Sequence, residues 1–582
     1  MTKGKTYFVV ATALVAGLVL IGNRAEAEGD RFYSDLNRLD KIVTKINENY
    51  VEPVSTEELV DAAIDGMRDI LDPHTAYFGA RDYEDLKVTT EGEFGGLGIQ
   101  IGVRDQVLTV ISPLAGTPAH RLGLRAGDKI LRIDTADTRG ITVDKAVDKL
   151  RGKAGTKVTL RIRREGVADP LDFTITREII KIESVPYAAM LGDSIGYVKV
   201  TQFARLTGSD LENKITELMK RHPRGLILDL RMNPGGLLSQ AIEVSELFLA
   251  QGSLVVFTKG RASTQSQEYK SRRPPLWTGK LVVLVNGSSA SASEIVAGAV
   301  QDWDRGVILG QNTYGKGSVQ EVLRLDDRDN ALKLTTAYYY TPAGRCINKP
   351  ENGARLKAAE EDDSSGAPEK AAKADTSLFK TRGGRLVKAA GGITPDIAVA
   401  DRKYSRFALE LFRRGLFFGY VVKARGEISA RGPVTPAFEV TPEILEDFRK
   451  YAFADSAFKR FRSTPLQEID QARAAWKKDR ADRGEDSSKA SPEFDRAYAA
   501  LETVLKAEAE HEFAANRELI RREIKAELLG AVLGEDARTA FEIQGDAQVR
   551  EALRYLGDGK LYAATLKPAR SKATTEKPTR AK

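Results

Sequence analysis

Residues 281–300, LVVLVNGSSASASEIVAGAV, decide the fold. Leu281 to Val285 are five apolar residues in a row and read as a fully buried strand. Asn286-Gly287 is a turn signal, and Glu294 to Val300 has the small and apolar residues of a helix packed against a sheet. Between strand and helix lie Ser288, Ser289, Ser291 and Ser293. A hydroxyl there sits at a helix N-terminus, where free backbone N–H groups and the helix dipole stabilise an oxyanion. Ser291-x-x-Glu294 is equally a capping box, which opens many helices without any chemistry. This stretch alone leaves both readings open.

Working outward, Ser194 to about Cys346 alternates strand and helix. Ile195–Phe203 reads as a strand, Ser209–His222 as a helix capped by Ser209, and Gly225–Leu230 as a buried strand. The loop Asn233-Pro234-Gly235-Gly236 precedes a helix from Leu237 to about Leu249. Further strands fall at Leu254–Thr258, Leu281–Val285 and Val307–Leu309, with β pairs in Val319–Leu325 and Leu332–Tyr340. The order predicts an α/β layer with a partly parallel sheet, whose functional loops lie at the carboxyl ends of strands. Asn233–Gly236 and Asn286–Ser291 both sit at such ends.

The flanks differ in character. Residues 28–86 read as an N-terminal helical region, with Leu36, Leu39, Ile42, Val43 and Ile46 at helical spacing and a second run starting near Thr56. Residues 87–184 are mostly β with two helices. They carry GGLGI (Gly95, Gly96, Leu97, Gly98, Ile99), SPLAGTPAHRLGLRAGDKIL, a helix with Val143, Val147 and Leu150, and LRGKAGT containing Arg151. That set resembles a PDZ domain. The resemblance implies a glycine loop that presents backbone N–H groups to a chain-terminal carboxylate, with the peptide added as a strand beside Gly98–Val103. Within a core spanning 185–400, residues 351–376 lack apolar periodicity and read as a disordered insertion. Residues 401–560 are mostly helical, Thr441-Pro442 opening one helix, and 561–582 read as a basic, solvated tail. The fold class is therefore α/β multi-domain.

Length and charge bound the rest. The chain of 582 residues is too long for one core, and its net charge of +7 from 89 basic and 82 acidic residues gives no nucleic-acid signature. One cysteine, Cys346, excludes an internal disulfide, and four histidines leave little for a metal site. Residues 1–27 have a basic start at Lys3 and Lys5, an uncharged run from Tyr7 to Gly22, and Ala25-Glu26-Ala27 as a cleavage site. That is a signal peptide, with an uncleaved anchor as the alternative. Export to the periplasm, soluble or held at the inner membrane, is the expected address.

A nucleophilic serine needs a base. No histidine sits in a strand-end loop of the core, since His222 ends a helix beside Pro223. A lysine serves if burial holds it neutral. Gly310 to Gly317, GQNTYGKG, supplies Lys316 after the strand Val307–Leu309, and Gln320 is placed to orient the amine. The same octet nearly spells a phosphate-binding loop, but Gly317 stands where the Mg²⁺-binding hydroxyl belongs and SVQEVLRL alternates like a strand. A structural turn with an exposed lysine remains the bland reading.

DLRMNPGG (Asp229–Gly236), NGSSASASEIVAGA and TYGKGSVQ, in that order behind a PDZ-like domain and a signal peptide, resemble the carboxyl-terminal processing, or tail-specific, proteases. In that family the nucleophile lies 25 residues before the lysine, which selects Ser291. The resemblance implies Lys316 as general base, Gln320 as its orienting partner, and backbone N–H groups of Ala292 and Gly235 as oxyanion hole. It also implies that the PDZ groove takes protein substrates with exposed apolar C-termini, and that neither metal nor other cofactor is needed. Arg151 is a candidate link between PDZ domain and core. A membrane-associated adaptor and homo-oligomers are partners open to such a chain, and nucleic acid is not. An inactive PDZ adaptor that binds tails without cutting is the alternative. The 351–376 insertion and about 180 residues after Asp401 depart from the shorter family members.

Overall fold

The computed structural model describes residues 32–568 except 105, 193, 327–329, 350–376, 389–390, 457, 459–463 and 484–491. The expected signal peptide and the 351–376 insertion therefore lie outside the described residues. The chain divides into two compact units, the smaller comprising 1–83, 320–336 and 350–373, and the larger the remainder.

The centre of the larger unit is a six-stranded sheet: β1 (Tyr187–Leu191), β2 (Ile195–Lys199), β3 (Gly225–Asp229), β4 (Lys280–Val285), β5 (Val307–Gly310) and β6 (Ile397–Ala398), in that spatial order. The β1–β2 pair is antiparallel, and β2 through β6 run parallel. Side chains alternate across a strand, so β3 and β4 need two apolar layers. Leu226, Leu228, Leu281, Val283 and Val285 pack with helices α1 (Thr207–Met219), α2 (Leu238–Glu246) and α3 (Ala292–Asp302). Ile227, Val282, Leu284 and Leu309 pack on the other face with α4 (Ala547–Gly557) and α5 (Gly559–Thr565), through Val549, Ala552, Leu556 and Tyr562. The chain thus returns some 260 residues after β4 to complete its sheet.

Two sequence expectations change here. The basic tail was expected from 561, but α5 is an ordered helix. Its Tyr562 is 8% exposed, donates to the Leu281 carbonyl and accepts the Leu281 N–H. The helix expected to be capped by Ser209 starts at Thr207, and the Ser209 hydroxyl donates back to the Leu206 carbonyl at 2.9 Å.

Residues 99–176 form an antiparallel sheet of Ile99–Arg104, Val107–Pro113, Lys129–Ile133, Lys157–Arg163 and Leu171–Thr176, with helices Pro118–Arg121 and Val143–Leu150. Leu108, Val110, Ile130, Leu160, Ile162, Ala146 and Leu150 make its core. A further pair, Glu93–Gly96 with Glu178–Lys181, closes the domain at its two chain ends. This is the expected PDZ architecture. Residues 406–544 form a helical domain on an aromatic core that includes Phe407, Phe417, Tyr420, Phe448 and Ile520, and Thr441 caps Pro442–Ala454 as expected.

In the smaller unit, residues 32–49 are helical and Thr56–Ile70 follows, capped by Ser55 in a box with Glu58. Thr56–Ile70 has no buried residue, and Leu36, Leu39, Ile42, Val60 and Met67 are exposed. Ala76–Phe78 pairs with residues 331–333.

Candidate active site

The turn from β4 into α3 places Ser291 at φ +54°, ψ −113°. A non-glycine residue there is strained, by about 1–3 kcal/mol, and such strain persists only where surrounding structure over-determines it. The same sharp strand-to-helix turn carries the nucleophile in enzymes that use a serine elbow. Its neighbours Ala290 and Ala292 are small and buried, which lets the turn close.

The four serines divide their work. Ser289 Oγ donates to the Leu230 carbonyl at 2.8 Å and accepts the Asn286 N–H, and Ser293 Oγ donates to the Asn233 carbonyl at 3.0 Å. Both are fully buried. Ser288 is exposed in the turn. The Ser291 hydroxyl makes no side-chain cap hydrogen bond. The expected box pairs Ser291 with Glu294, whose Oε2 accepts the Ser291 N–H at 2.8 Å.

Glu294 does much more than cap. It is fully buried, and Oε2 also accepts the Lys316 N–H at 2.9 Å. Oε1 accepts the Gly315 N–H at 2.7 Å and the Thr313 hydroxyl at 2.5 Å. Burial pushes the carboxyl above its ordinary value, while these donors pull it back. One carboxylate therefore ties the backbone of Ser291 to that of Lys316. The Tyr314 N–H adds a bond to the Ser289 carbonyl at 3.0 Å. Lys316 itself is half-buried. Gly315, at φ +89°, is needed because a Cβ there would stand 2.7 Å from the Gly391 carbonyl oxygen.

On the other side of the turn lies the loop after β3. A Cβ on Gly235, at φ +102°, would stand 2.8 Å from Ser291 Cβ and 3.0 Å from the Ala292 nitrogen, so glycine alone fits against the turn. The Gly235 N–H, expected in the oxyanion hole, donates instead to Asn233 Oδ1 at 2.9 Å. In this arrangement an oxyanion at Gly235 competes with Asn233 Oδ1 for the same N–H. Asn233 is fully buried, donates Nδ2 to the Val200 carbonyl, and receives the Ala290 N–H on its own carbonyl.

Behind this loop, Asp229 accepts the Tyr197 hydroxyl at 2.6 Å and both Nε and Nη2 of Arg231. Burial pushes Asp229 up, but the Arg231 charge and these hydrogen bonds hold it below the ordinary 3.8. In the sequence, Asp229, Arg231, Asn233 and Thr313 stand out only as members of motifs, with no role of their own. The available signal was acid–cation spacing at a buried strand end.

The remaining predicted residues are dispersed. Gln320 belongs to the smaller unit and directs Nε2 to Thr335 Oγ1 at 3.4 Å. Gly95 and Gly96 finish a strand paired with Ile179 and Glu178, Leu97 is buried, and Gly98 (φ +73°) turns the chain into Ile99. Val143 and Val147 are half-buried on the PDZ helix. Arg151 ion-pairs with Asp85 and lies over the Phe94 ring at 5.1 Å, so its partners are at the domain's entry rather than in the α/β core. A bond that does join the PDZ entry strand to the core, Arg205 to Glu93 at 3.2 Å, was not foreseen. Among the described residues no group of three or more His, Cys, Asp or Glu is arranged to hold a metal ion, and no helix is long and apolar enough to cross a membrane.

Four family descriptions match successive parts of the chain: the activating protease CtpB N-terminal domain over 9–81, a PDZ domain over 85–163, peptidase family S41 over 194–353, and the probable PDZ-protease C-terminal helical domain over 407–556. A carboxy-terminal-processing protease of Bartonella bacilliformis is 42% identical over 353 residues, which cover 60% of this chain and 80% of that one. The carboxy-terminal processing protease CtpA of Bacillus subtilis is 34% identical, covering 61% and 77%. Among solved structures, a photosystem II D1 C-terminal processing protease aligns at 26% identity over 61% of this chain and 85% of that one, with a TM-score of 0.33.

Proposed function

From the premise that this chain belongs to the carboxy-terminal processing protease family, with its PDZ domain, S41 core and helical C-terminal domain, we propose that it is a Ser–Lys endopeptidase acting on protein C-terminal regions. Ser291 is the nucleophile and Lys316 the base. One observation carries the reading. The strained Ser291 turn and the Lys316 backbone share a single buried carboxylate, Glu294, so nucleophile and base are fixed in one frame. A plain capping box needs neither the strain nor the second loop.

In this reading an apolar C-terminus enters the PDZ groove and adds as a strand beside Ile99–Arg104, with Val143 and Val147 facing it from the helix. The substrate chain then passes over the β4–α3 turn. Ser291 Oγ attacks a peptide carbonyl while Lys316 Nζ takes the hydroxyl proton. The Ala292 N–H, at the N-terminus of α3, receives the developing oxyanion. Lys316 returns the proton to the leaving amine, and a water, deprotonated in turn, cleaves the acyl-enzyme ester. Gln320 keeps the lysine-orienting role that the family motif implies. Residues 1–27 direct the chain to export and a periplasmic address.

A gated form is favoured by one specific feature, the Gly235 N–H held by Asn233. It describes a resting enzyme that completes its oxyanion hole on substrate entry. The test uses the purified chain with Ser291→Ala, Lys316→Ala and Gln320→Ala variants and an unfolded polypeptide with an apolar C-terminus, read by intact mass. Cleavage by wild type and by neither Ser291→Ala nor Lys316→Ala is expected, with Gln320→Ala slowed. Binding without cleavage by the wild type would replace the enzyme with a PDZ adaptor, and cleavage by Ser291→Ala would remove the nucleophile assignment.

A further inference from the structure

Arg231 stands two residues past the end of β3, on the way into the loop that flanks Ser291, and its guanidinium is held from two directions. Nε and Nη2 meet Asp229 at 2.6–3.1 Å. Nη1 reaches across to the C-terminal helical region, donating to Asp546 Oδ2 at 2.7 Å and to Gln548 Oε1 at 3.1 Å. Asp546 is itself fixed, since its Oδ1 caps α4 by accepting the Gln548 and Val549 N–H groups at 2.8 and 3.0 Å. Gln548 is 2% exposed and donates Nε2 to the Val399 carbonyl and to Asp401 Oδ1. Every group in this chain of contacts has a partner, and Arg231 is only 15% exposed, so the link is rigid and poorly screened.

What lies downstream of Arg231 makes the link matter. Met232 adopts φ +61°, and Asn233 follows with its carbonyl holding the Ala290 N–H and the Ser293 hydroxyl on either side of the nucleophile. Asn233 also holds the Gly235 N–H. A displacement of Arg231 is therefore passed through Met232, at φ +61°, to Asn233 and the groups that bracket Ser291.

We propose that Asp546 and Gln548 are positioning residues for the active site, acting through Arg231 on the loop 231–236. The C-terminal helical region is then part of the catalytic frame, and anything that moves the start of α4 alters turnover. This rests on the Ser291 protease reading, and the test separates the two. Asp546→Asn is the informative change, because asparagine caps a helix as well as aspartate but removes the charge facing Arg231. Asp546→Ser, which also caps but cannot reach Arg231, is the second variant.

Wild type, Ser291→Ala, Asp546→Asn and Asp546→Ser are compared as full chains for kcat, KM, thermal midpoint and hydrogen exchange of peptides covering 231–237. The expected result is a kcat lowered by about tenfold with KM within about twofold, because the loss is in alignment rather than substrate binding. Exchange at 231–237 should rise in both variants, while the midpoint stays within a few degrees. Unchanged exchange there overturns the proposal whether or not cleavage is measured, and so does a kcat loss that only tracks a lost folded fraction. A wild type that does not cleave, or a Ser291→Ala that does, instead refutes the protease reading, and the exchange comparison still decides the link.

Discussion

Replacing Glu294 with glutamine probes the frame most directly, because the side chain keeps its size and loses only its symmetry and charge. Four donors converge on the carboxylate: the N–H groups of Ser291, Gly315 and Lys316 and the Thr313 hydroxyl, at 2.5–2.9 Å. A glutamine oxygen can accept from only one side. Its best orientation turns the oxygen to Ser291 and Lys316 and the NH₂ to Thr313 and Gly315. The threonine hydroxyl can rotate to accept, but the Gly315 N–H then faces another donor. Each unsatisfied buried group costs about 1–3 kcal/mol, and the charge-assisted bonds that remain lose roughly half their strength. Burying a neutral amide rather than an anion offsets part of this, leaving a net loss of about 2–4 kcal/mol. For a unit of this size that lowers the thermal midpoint by roughly 2–4 °C. With Gly315 loosened, Lys316 moves relative to Ser291, and kcat should fall about tenfold to a hundredfold with little change in KM. Steady-state cleavage and calorimetry on the same preparation read both quantities. Wild-type kcat per folded molecule in Glu294→Gln would refute the argument even if the midpoint falls, since it would show the shared carboxylate to be scaffolding alone.

Two further outcomes follow from the neighbouring loop. The folded Asp229 titrates below the ordinary 3.8, so its contribution is present above that value and lost as pH falls through the folded one. The stability gap between wild type and Asp229→Asn, measured by denaturant melts, should stay constant from neutral pH down to about 5 and narrow below it, and narrowing between pH 7 and 5 would contradict this. Gly235→Ala would force a Cβ to 2.8 Å from Ser291 Cβ at a φ of +102°, so cleavage should drop by about a hundredfold or more, and retained activity would show that the loop can retreat from the turn.

The parts of the fold written in local sequence were readable. The apolar runs at Leu226–Leu228 and Leu281–Val285, the turn at Asn286-Gly287 and the glycines around Lys316 each state their own conformation within a few residues. The second layer of the sheet was not, because Val549, Ala552, Leu556 and Tyr562 read as any amphipathic face until the chain brings them onto Ile227 and Leu284. That is why α5 looked like the start of a solvated tail. Glu294 was legible as a capping residue and no further, since its bonds to Thr313, Gly315 and Lys316 span about twenty residues. The Gly235 N–H named for the oxyanion hole is held by a side chain two residues away, Asn233, whose amide oxygen competes for it. A loop sequence shows which N–H groups exist, not which are already engaged.

The run of serines has a physical logic once the loop after β3 is considered with it. A serine hydroxyl at a helix start is ordinarily consumed by a nearby backbone group. Here two of them are consumed by one loop: Ser289 binds the Leu230 carbonyl and Ser293 the Asn233 carbonyl, on either side of Ser291. Those bonds pin both ends of the strained turn, so the residue between them holds φ +54° without spending its own hydroxyl on a cap. The two anchoring carbonyls lie at either end of the segment that contains Arg231. Arg231 in turn is clamped by Asp229 beneath the sheet end and by Asp546 at the start of α4. The bonds that pin both flanks of Ser291 therefore end on one short segment, Leu230 to Asn233, and the expected outcome of a change at either carboxylate partner of Arg231 is that it reaches both flanks together.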